Sequence, residues 1–261
     1  MASRILKGYS GQPAGARAAS RFRTVLATSQ IALSMALLVA AGLFTKSLYN
    51  VTRVDLGLAT DRLVTFAVAP SLNGYAAAQS QAFFERAEDA LAALPGAESV
   101  SASTVQLIAG NNWNNSVAVQ GFEAGPDTNT TASFSLIGPA FFQTLGIPLM
   151  AGREFTRADG AAAPKVAIVN QAFARKFNLG DRVIGTRMST DRDSTNLDIE
   201  IVGLVQDAKY SEVKDAVPPQ FFRPYRQGEN VGAINFYVRT AGDAAALLGP
   251  AQAAVRALDP N

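Results

Sequence analysis

An uncharged and mostly apolar stretch near the N-terminus constrains the fold more than any other feature of the sequence. It runs from Val25 to Thr45, and no charged residue falls between Arg23 and Lys46. A helix needs about 20 mostly apolar residues to cross a hydrocarbon layer of about 30 Å. This stretch is long enough, so the sequence predicts a transmembrane helix near the N-terminus.

Charge on either side of this stretch predicts its orientation. The residues before it are basic and include no Asp or Glu, and the first acidic residue is Asp55. Lys and Arg remain on the cytoplasmic side during insertion. We therefore predict a cytoplasmic basic tail over residues 1–23 and an extracytoplasmic location from about residue 50 onward. The basic residues of the tail are Arg4, Lys7, Arg17, Arg21 and Arg23.

A cleaved signal peptide is the alternative interpretation of the same stretch. Small residues at 39–42 would suit a cleavage site. The leading segment is longer than a usual n-region, however, and the apolar run exceeds the roughly 7–15 residues of a usual h-region. These lengths favour a retained anchor.

The apolar helix is predicted to continue past the membrane as a stalk. Phe44, Leu48 and Val51 extend an apolar stripe, and Gly57 is a suitable C-terminal stop. A helix over residues 24–57 would be about 50 Å long at 1.5 Å per residue. Ala32, Ala36 and Ala40 form a small-xxx-small pattern that suits contact with another helix, unless it only reflects a high alanine content.

Composition excludes several classes of function. The chain has 261 residues, a net charge of +2, and neither Cys nor His. Without these residues it cannot form a disulfide, a Cys-ligated zinc site, a thiol nucleophile or a Ser-His-Asp triad. No basic patch with interleaved aromatic residues follows the anchor, so we expect no nucleic-acid partner.

The region after the stalk begins and ends with strand and helix patterns. A strand over 63–69, an amphipathic helix over 76–94 and a strand over 97–103 resemble half of a ferredoxin-like split βαβ unit. The helix should bury Phe83, Phe84, Ala87, Leu91 and Leu94 and expose Glu85, Arg86, Glu88 and Asp89. A strand over 234–239 precedes a last helix, capped by Asp243, with Leu247, Leu248, Val255 and Leu258 inward and a kink or restart at 249–250.

The sequence pattern changes over residues 105–215, which are predicted to be rich in β-strands. The alternating runs at 116–120 and 132–137 suit an antiparallel sheet. We predict strands at 116–120, 132–137, 165–169, 187–189 and 198–205. Short helices are predicted at 139–145 and at 171–177, the second capped by Asn170. Residues 110–115 read as a loop, residues 146–148 and 152–155 as turns, and residues 209–217 as irregular. We expect Trp113 to be a local core plug rather than a contact residue.

Two segments resemble nucleotide or metal motifs but lack essential residues. Residues 180–187 are spaced like a P-loop without its lysine, and a turn before a strand explains them better. Residues 191–202 resemble a calcium loop, but Asn196 and Val202 stand where Gly and Glu are required. No carboxylate pair suits acid–base catalysis. We therefore assign no catalytic, cofactor-binding or metal-binding residue and expect no enzyme activity.

Four ordered segments carry a resemblance to the periplasmic core domain of MacB-type ABC transporter permeases. They are residues 135–160, 165–177, 201–210 and 238–260, and the anchor is similar to the first transmembrane helix of that family. The long basic lead before the anchor most resembles the duplicated orphan permeases of soil bacteria.

The resemblance implies an α+β fold in which a transmembrane and stalk helix precedes a porter-like βαβ subdomain with an inserted β-rich subdomain. The core domain would span 58–261, with 58–104 and 216–261 porter-like and 105–215 inserted. It also implies a bacterial inner-membrane efflux or envelope-export system in which the stalk carries motion driven by a cytoplasmic ABC ATPase subunit. A second permease copy, as a dimer or duplicated half, a periplasmic adaptor, an outer-membrane channel and the lipid bilayer are the other implied partners.

The chain departs from the family pattern in length. The family has three further transmembrane helices after this domain, so we expect this chain to be a fragment of a longer permease. A single-span membrane-anchored sensor or binding module is the alternative function, and a periplasmic hydrolase is a weaker one.

Overall fold

A computed structural model of the chain describes residues 13–51, 57–107, 109–110, 113–209 and 216–259, with side chains over residues 19–49 in the first helix. The chain divides into two compact units, Met1–Val54 and Asp55–Asn261. Each unit is described separately below.

The first unit contains one long helix, α1, over Pro13–Val51. It begins at residue 13 rather than near the predicted residue 24, so the helix also includes residues 13–23 of the predicted tail. Ala and Arg are strong helix formers, and proline suits the first turn because its missing N–H would be unpaired there anyway. The predicted continuation over 52–56 lies outside the described residues.

The apolar part of α1 has the length and composition of a membrane span. Ala19–Tyr49 has a mean hydropathy of 1.8 over its most apolar window, and none of that window is buried within the structure. The hydroxyl of Thr28 donates to the carbonyl of Thr24 at 2.8 Å, and that of Thr45 donates to the carbonyl of Ala41 at 2.9 Å. Such bonds satisfy hydroxyl groups where water is absent.

The second unit is built on one mixed sheet that runs in the order β1-β11-β2-β5-β10-β7-β9-β8-β4, with β3 beside β5 and β6 beside β9. The strands are β1 Leu63–Val68, β2 Ala97–Ser103, β3 Asn114–Ser116, β4 Ala118–Val119, β5 Thr131–Ile137, β6 Leu149–Gly152, β7 Val166–Asn170, β8 Arg187–Ser189, β9 Ile199–Val205, β10 Gln220–Pro224 and β11 Ile234–Thr240. The helices are α2 Ala77–Ala92, α3 Phe141–Leu145, α4 Gln171–Lys176 and α5 Ala244–Leu258. The α+β class predicted from the sequence is confirmed, and the sheet joins both ends of the unit.

The first and last elements of the unit pack together, with two helices against three paired strands. β11 pairs antiparallel with both β1 and β2, and α2 and α5 contact each other and these strands. Apolar side chains from both helices and all three strands form a single core, which includes Phe84, Leu91, Phe236 and Leu247. The strand, helix and strand predicted at the start of the region, and the strand and helix predicted at its end, are all present.

The middle of the chain supplies the remaining strands. β7 and β9 are parallel, β10 is parallel to β5 and antiparallel to β7, and β2 joins β5 through the single pair Ser103 and Ile137. Asn170 caps α4 as predicted, its side chain accepting from the Phe173 N–H at 2.9 Å. β10, which follows two prolines, and β6, part of which was predicted as a turn, were both missed.

Four individual predictions are wrong. Glu88 is buried rather than exposed, because it pairs with an arginine distant in sequence. Leu248 is 41% exposed, because the neighbouring Leu247 occupies the inward position. Trp113 is 46% exposed and packs against Phe134 at the surface. Part of the predicted loop 110–115 belongs to β3, which gains its backbone partners from β5.

Candidate functional site

Residues 57–62, near the start of the second unit, contact several other segments of that unit, and we call them the neck. Residues 52–56 connect it to α1 along the chain. Gly57 has φ +65°, and a Cβ there would lie 2.9 Å from the carbonyl oxygen of Asp207. The neck therefore begins in direct contact with the segment that follows β9.

The next residues of the neck contact α3. The Ala59 N–H donates to the carbonyl of Leu145 at 2.7 Å. Gly146 follows with φ +69°, and a Cβ at that position would lie 2.7 Å from the Ala59 side chain. A side chain at 146 would push the neck away, so the glycine allows the contact as well as the turn.

The side chain of Arg239 on β11 also forms hydrogen bonds with the neck. Its guanidinium donates to the carbonyl oxygens of Ala59 at 2.6 Å, Asp61 at 3.2 Å and Thr144 at 2.7 Å. The following residue, Thr240, donates its N–H to the carbonyl of Arg62 at 3.0 Å. One arginine thus joins the neck, the end of α3 and β11.

The helix α3 is itself fixed in an aromatic core. The ring of Phe142 meets that of Phe222 edge-on with centroids 5.0 Å apart, and Phe141 meets Tyr237 at 5.8 Å. Both phenylalanines are fully buried. The neck is therefore connected through α3 to a core that includes side chains of β10 and β11.

Ion pairs attach α2 to two other parts of the unit. Arg226, just after β10, donates to Glu88 at 2.8 Å and to Glu85 at 3.1 Å, and Asp89 pairs with Arg157. Burial raises the pKa of Glu88, and the charge and hydrogen bond of Arg226 oppose that rise. These pairs fix α2 to the turn after β10 and to the loop before β7.

The segments tested for motifs lie apart from the neck. Residues 181, 182 and 184–186 help to line an open surface cavity of about 580 Å³. Residues 180–186 lead into β8, which agrees with the predicted turn before a strand. In the described parts of the chain, no three His, Cys, Asp or Glu side chains group as metal ligands do. No cofactor, metal or catalytic residue was assigned from the sequence.

Sequence reasoning missed the residues that form the neck contacts. Arg239 occurs in a strand pattern, where an arginine usually points to solvent, and its partners are backbone carbonyls that leave no sequence signal. Gly146 was recognised only as part of a turn. A charged residue within a strand of mostly apolar residues was the one available indication.

Comparisons with known proteins identify the family. The profile of the MacB-like periplasmic core domain matches residues 24–258. The periplasmic region of MacB from Actinobacillus actinomycetemcomitans is similar in structure, with a TM-score of 0.50 and 14% identity over 80% of this chain and 89% of that one. The extracellular domain of the noncanonic ABC-type transporter YknZ from Gram-positive bacteria gives a TM-score of 0.48 and 14% identity, over 76% of this chain and 94% of that domain. The curated proteins include no match.

The family match covers most of the chain, and the MacB periplasmic region shares its fold. The apolar helix at the N-terminus adds a candidate membrane span to that domain, which is the arrangement of an inner-membrane protein. The chain belongs to the MacB-like periplasmic core domain family, the periplasmic part of ABC-type transporter permeases.

Proposed function

We propose that this chain is the anchor, stalk and periplasmic domain of an ABC transporter permease, and that its neck transmits ATPase-driven motion into the domain. The transmitted motion would serve efflux or envelope export, and a separate cytoplasmic ATPase subunit would supply the energy. The N-terminus would lie in the cytoplasm and residues from about 50 onward in the periplasm.

The observation that carries this proposal is the triple attachment of the neck. Its backbone is bonded to α3 through Leu145 and to β11 through Arg239, and it is packed against the segment after β9 at Gly57. Packed side chains, hydrogen bonds and rigid elements that are physically connected can carry movement between two places in a protein. Attachment at one point would let the neck pivot, whereas three points make the domain follow it.

The same contacts connect the neck to both proposed parts of the domain. The porter-like part, proposed as 58–104 and 216–261, contains Arg239, and the inserted part, proposed as 105–215, contains α3 and the segment after β9. The neck bonds to both parts, so movement would reach both together. A second permease copy, a periplasmic adaptor and an outer-membrane channel are the proposed recipients of that movement.

The test is a distance measurement in membranes that contain the permease and its cognate ABC ATPase. Because the chain has no cysteine, Ser47→Cys and Asp127→Cys provide two specific dye positions, one on α1 and one on the domain. We expect ATP to change the energy transfer between the dyes, and Arg239→Ala to remove most of that change while ATP hydrolysis continues.

A single-span sensor or binding module is the competing function. It predicts that ATP and the ATPase leave the dye distance unchanged in the unmodified protein. That result would overturn the proposed transmission. A change that persists in full in Arg239→Ala would instead show that the neck is not its route.

A further inference from the structure

The segment after β9 contacts both the neck and the helix α4. A Cβ at Gly57 would lie 2.9 Å from the carbonyl oxygen of Asp207 and 3.1 Å from the Cα of Ala208. The side chain of Ala208 is buried in the core that also contains Phe142 of α3. The side chain of Asp207 bonds to α4 instead. Two adjacent residues beside the neck therefore lead to different helices.

Three hydrogen bonds join Asp207 to α4. Its Oδ1 accepts from the Ala172 N–H at 2.8 Å, and its Oδ2 accepts from the Arg175 guanidinium at 2.6 Å. Its own N–H donates to the side-chain oxygen of Gln171 at 3.4 Å. The Asp207 side chain is only 20% exposed, and hydrogen bonds to an ionised group are stronger than those between neutral groups. Asp207 is therefore fixed to α4 at three points.

The helix α4 in turn packs into a second aromatic core. Phe173 is fully buried, and its ring centroid lies 4.5 Å from that of Phe177 and 6.3 Å from that of Phe221 on β10. This core also contains side chains of β7 and β9, and it is distinct from the core around α3. The bonds of Asp207 thus connect the segment beside the neck to a core that does not include the side chains of α3.

We propose that Asp207 is a positioning residue that couples the neck to α4 and to the second aromatic core. This inference rests on the proposed transmission through the neck, and it adds a connection that is separate from Arg239 and α3. Packed contacts and hydrogen bonds can couple two places in a protein. Such coupling is measured by perturbing both ends and asking whether the two effects interact.

The test is a double-mutant cycle measured by hydrogen exchange of the full chain in detergent. Gly57→Ala acts from the neck, because its Cβ would meet the Asp207 carbonyl oxygen and φ is +65°. Asp207→Ala acts from the other end and removes the side-chain bonds to α4. The reporters are the amides of Phe177 and Leu179, which donate to carbonyls of α4 and not to Asp207.

The expected result is an interaction between the two substitutions. Gly57→Ala alone should speed exchange of the reporter amides about fivefold, and it should add less than about twofold when Asp207→Ala is already present. Coupling free energies are reciprocal, so Asp207→Ala should also speed exchange in residues 57–62 by a similar factor. A residue that only capped α4 would leave the neck unchanged.

Two further variants serve as controls. Asp207→Asn keeps an oxygen that can accept from the Ala172 N–H, so it should restore much of the protection at both ends. Arg175→Ala removes a partner whose side chain is 66% exposed, and its effect should be smaller than that of Asp207→Ala. Circular dichroism of each variant verifies folding.

Three results would overturn the role of Asp207. They are equal effects of Gly57→Ala on α4 with and without the Asp207 side chain, unchanged exchange in α4 of Gly57→Ala, and unchanged exchange in the neck of Asp207→Ala. The cycle needs no ATPase, so its failure is distinct from failure of the proposed function, which an unchanged dye distance on addition of ATP would show.

Discussion

Replacing Arg239 by alanine should loosen the neck without unfolding the domain. The guanidinium donates three hydrogen bonds to backbone carbonyls. Two of its acceptors, in Ala59 and Asp61, belong to exposed residues that water can serve, whereas Thr144 is buried. A hydrogen bond to a charged group is worth about 1.5–3 kcal/mol, so we expect a local loss of about 3 kcal/mol.

Hydrogen exchange measures this loss where it occurs. A change of about 3 kcal/mol corresponds to exchange faster by about 100-fold, since each 1.4 kcal/mol is a factor of ten. Peptides that cover residues 57–62 should show it, because the Ala59 N–H bonds to Leu145 in the same cluster. Peptides from α2 should show no change, because that helix packs in a separate core.

A conservative variant and a distant variant serve as controls. Arg239→Lys keeps the charge but cannot reach three acceptors with one ammonium group, so its effect should be intermediate. Arg182→Ala removes an exposed arginine elsewhere and should change nothing. Exchange in residues 57–62 that stays within about threefold of the unmodified protein in Arg239→Ala would refute the assignment of Arg239 to the neck.

Other predictions test the remaining contacts. Glu88→Gln should lower the free energy of unfolding, measured by urea titration, by about 3 kcal/mol, because Arg226 then keeps only the exposed Glu85 as a charged partner. The double variant Glu88→Leu with Arg226→Met, which removes both buried charges, should recover part of that free energy. Gly152→Ala should destabilise more severely or prevent folding, since φ is +77° and the new Cβ would lie 2.1 Å from the Val202 carbonyl oxygen; expression yield and thermal unfolding report this. Burial acts to raise the pKa of Asp159, but bonds from Arg153 and from Thr156 outweigh it and lower that pKa. Its contribution to stability is therefore present above the ordinary pKa of aspartate and is lost as pH falls through the lowered value. The Tm gap between the unmodified protein and Asp159→Asn should narrow on acidification.

Local patterns were sufficient for much of the fold. The spacing of apolar residues, together with neighbouring turn residues, predicts three elements: the strand Leu63–Val68, the helix Ala77–Ala92 and the strand Ala97–Ser103. The Asn170 cap is equally local, because its donor is three residues away. By contrast, the strand Gln220–Pro224 depends on a parallel partner about 87 positions earlier, as the pair Gln220 and Ser133 shows (220 − 133 = 87), and no nearby pattern reveals such a partner.

The site was less accessible than the fold for the same reason. Glu88 has the spacing of an exposed helix residue, and its burial is explained only by Arg226, 138 residues further on. Arg239 contacts residues 95 to 180 positions away, and all its acceptors are backbone atoms. Side-chain identity at the acceptors is irrelevant to such bonds, so the sequence of the acceptor residues does not reveal them.

Mechanical coupling is measured most directly by pulling on the neck of a single molecule. Thr60→Cys and Asp127→Cys attach DNA handles to the neck and to an exposed loop of the β-rich part, and optical tweezers apply force between them. We predict that the unmodified domain resists as one unit and unfolds in a single large step. In Arg239→Ala a small extension, matching release of residues 60–62 between the handle and β1, should precede that step at lower force. Early detachment of the neck in the unmodified protein would show that the neck does not carry force into the domain. Identical unfolding of Arg239→Ala and the unmodified protein would contradict the account in the same way.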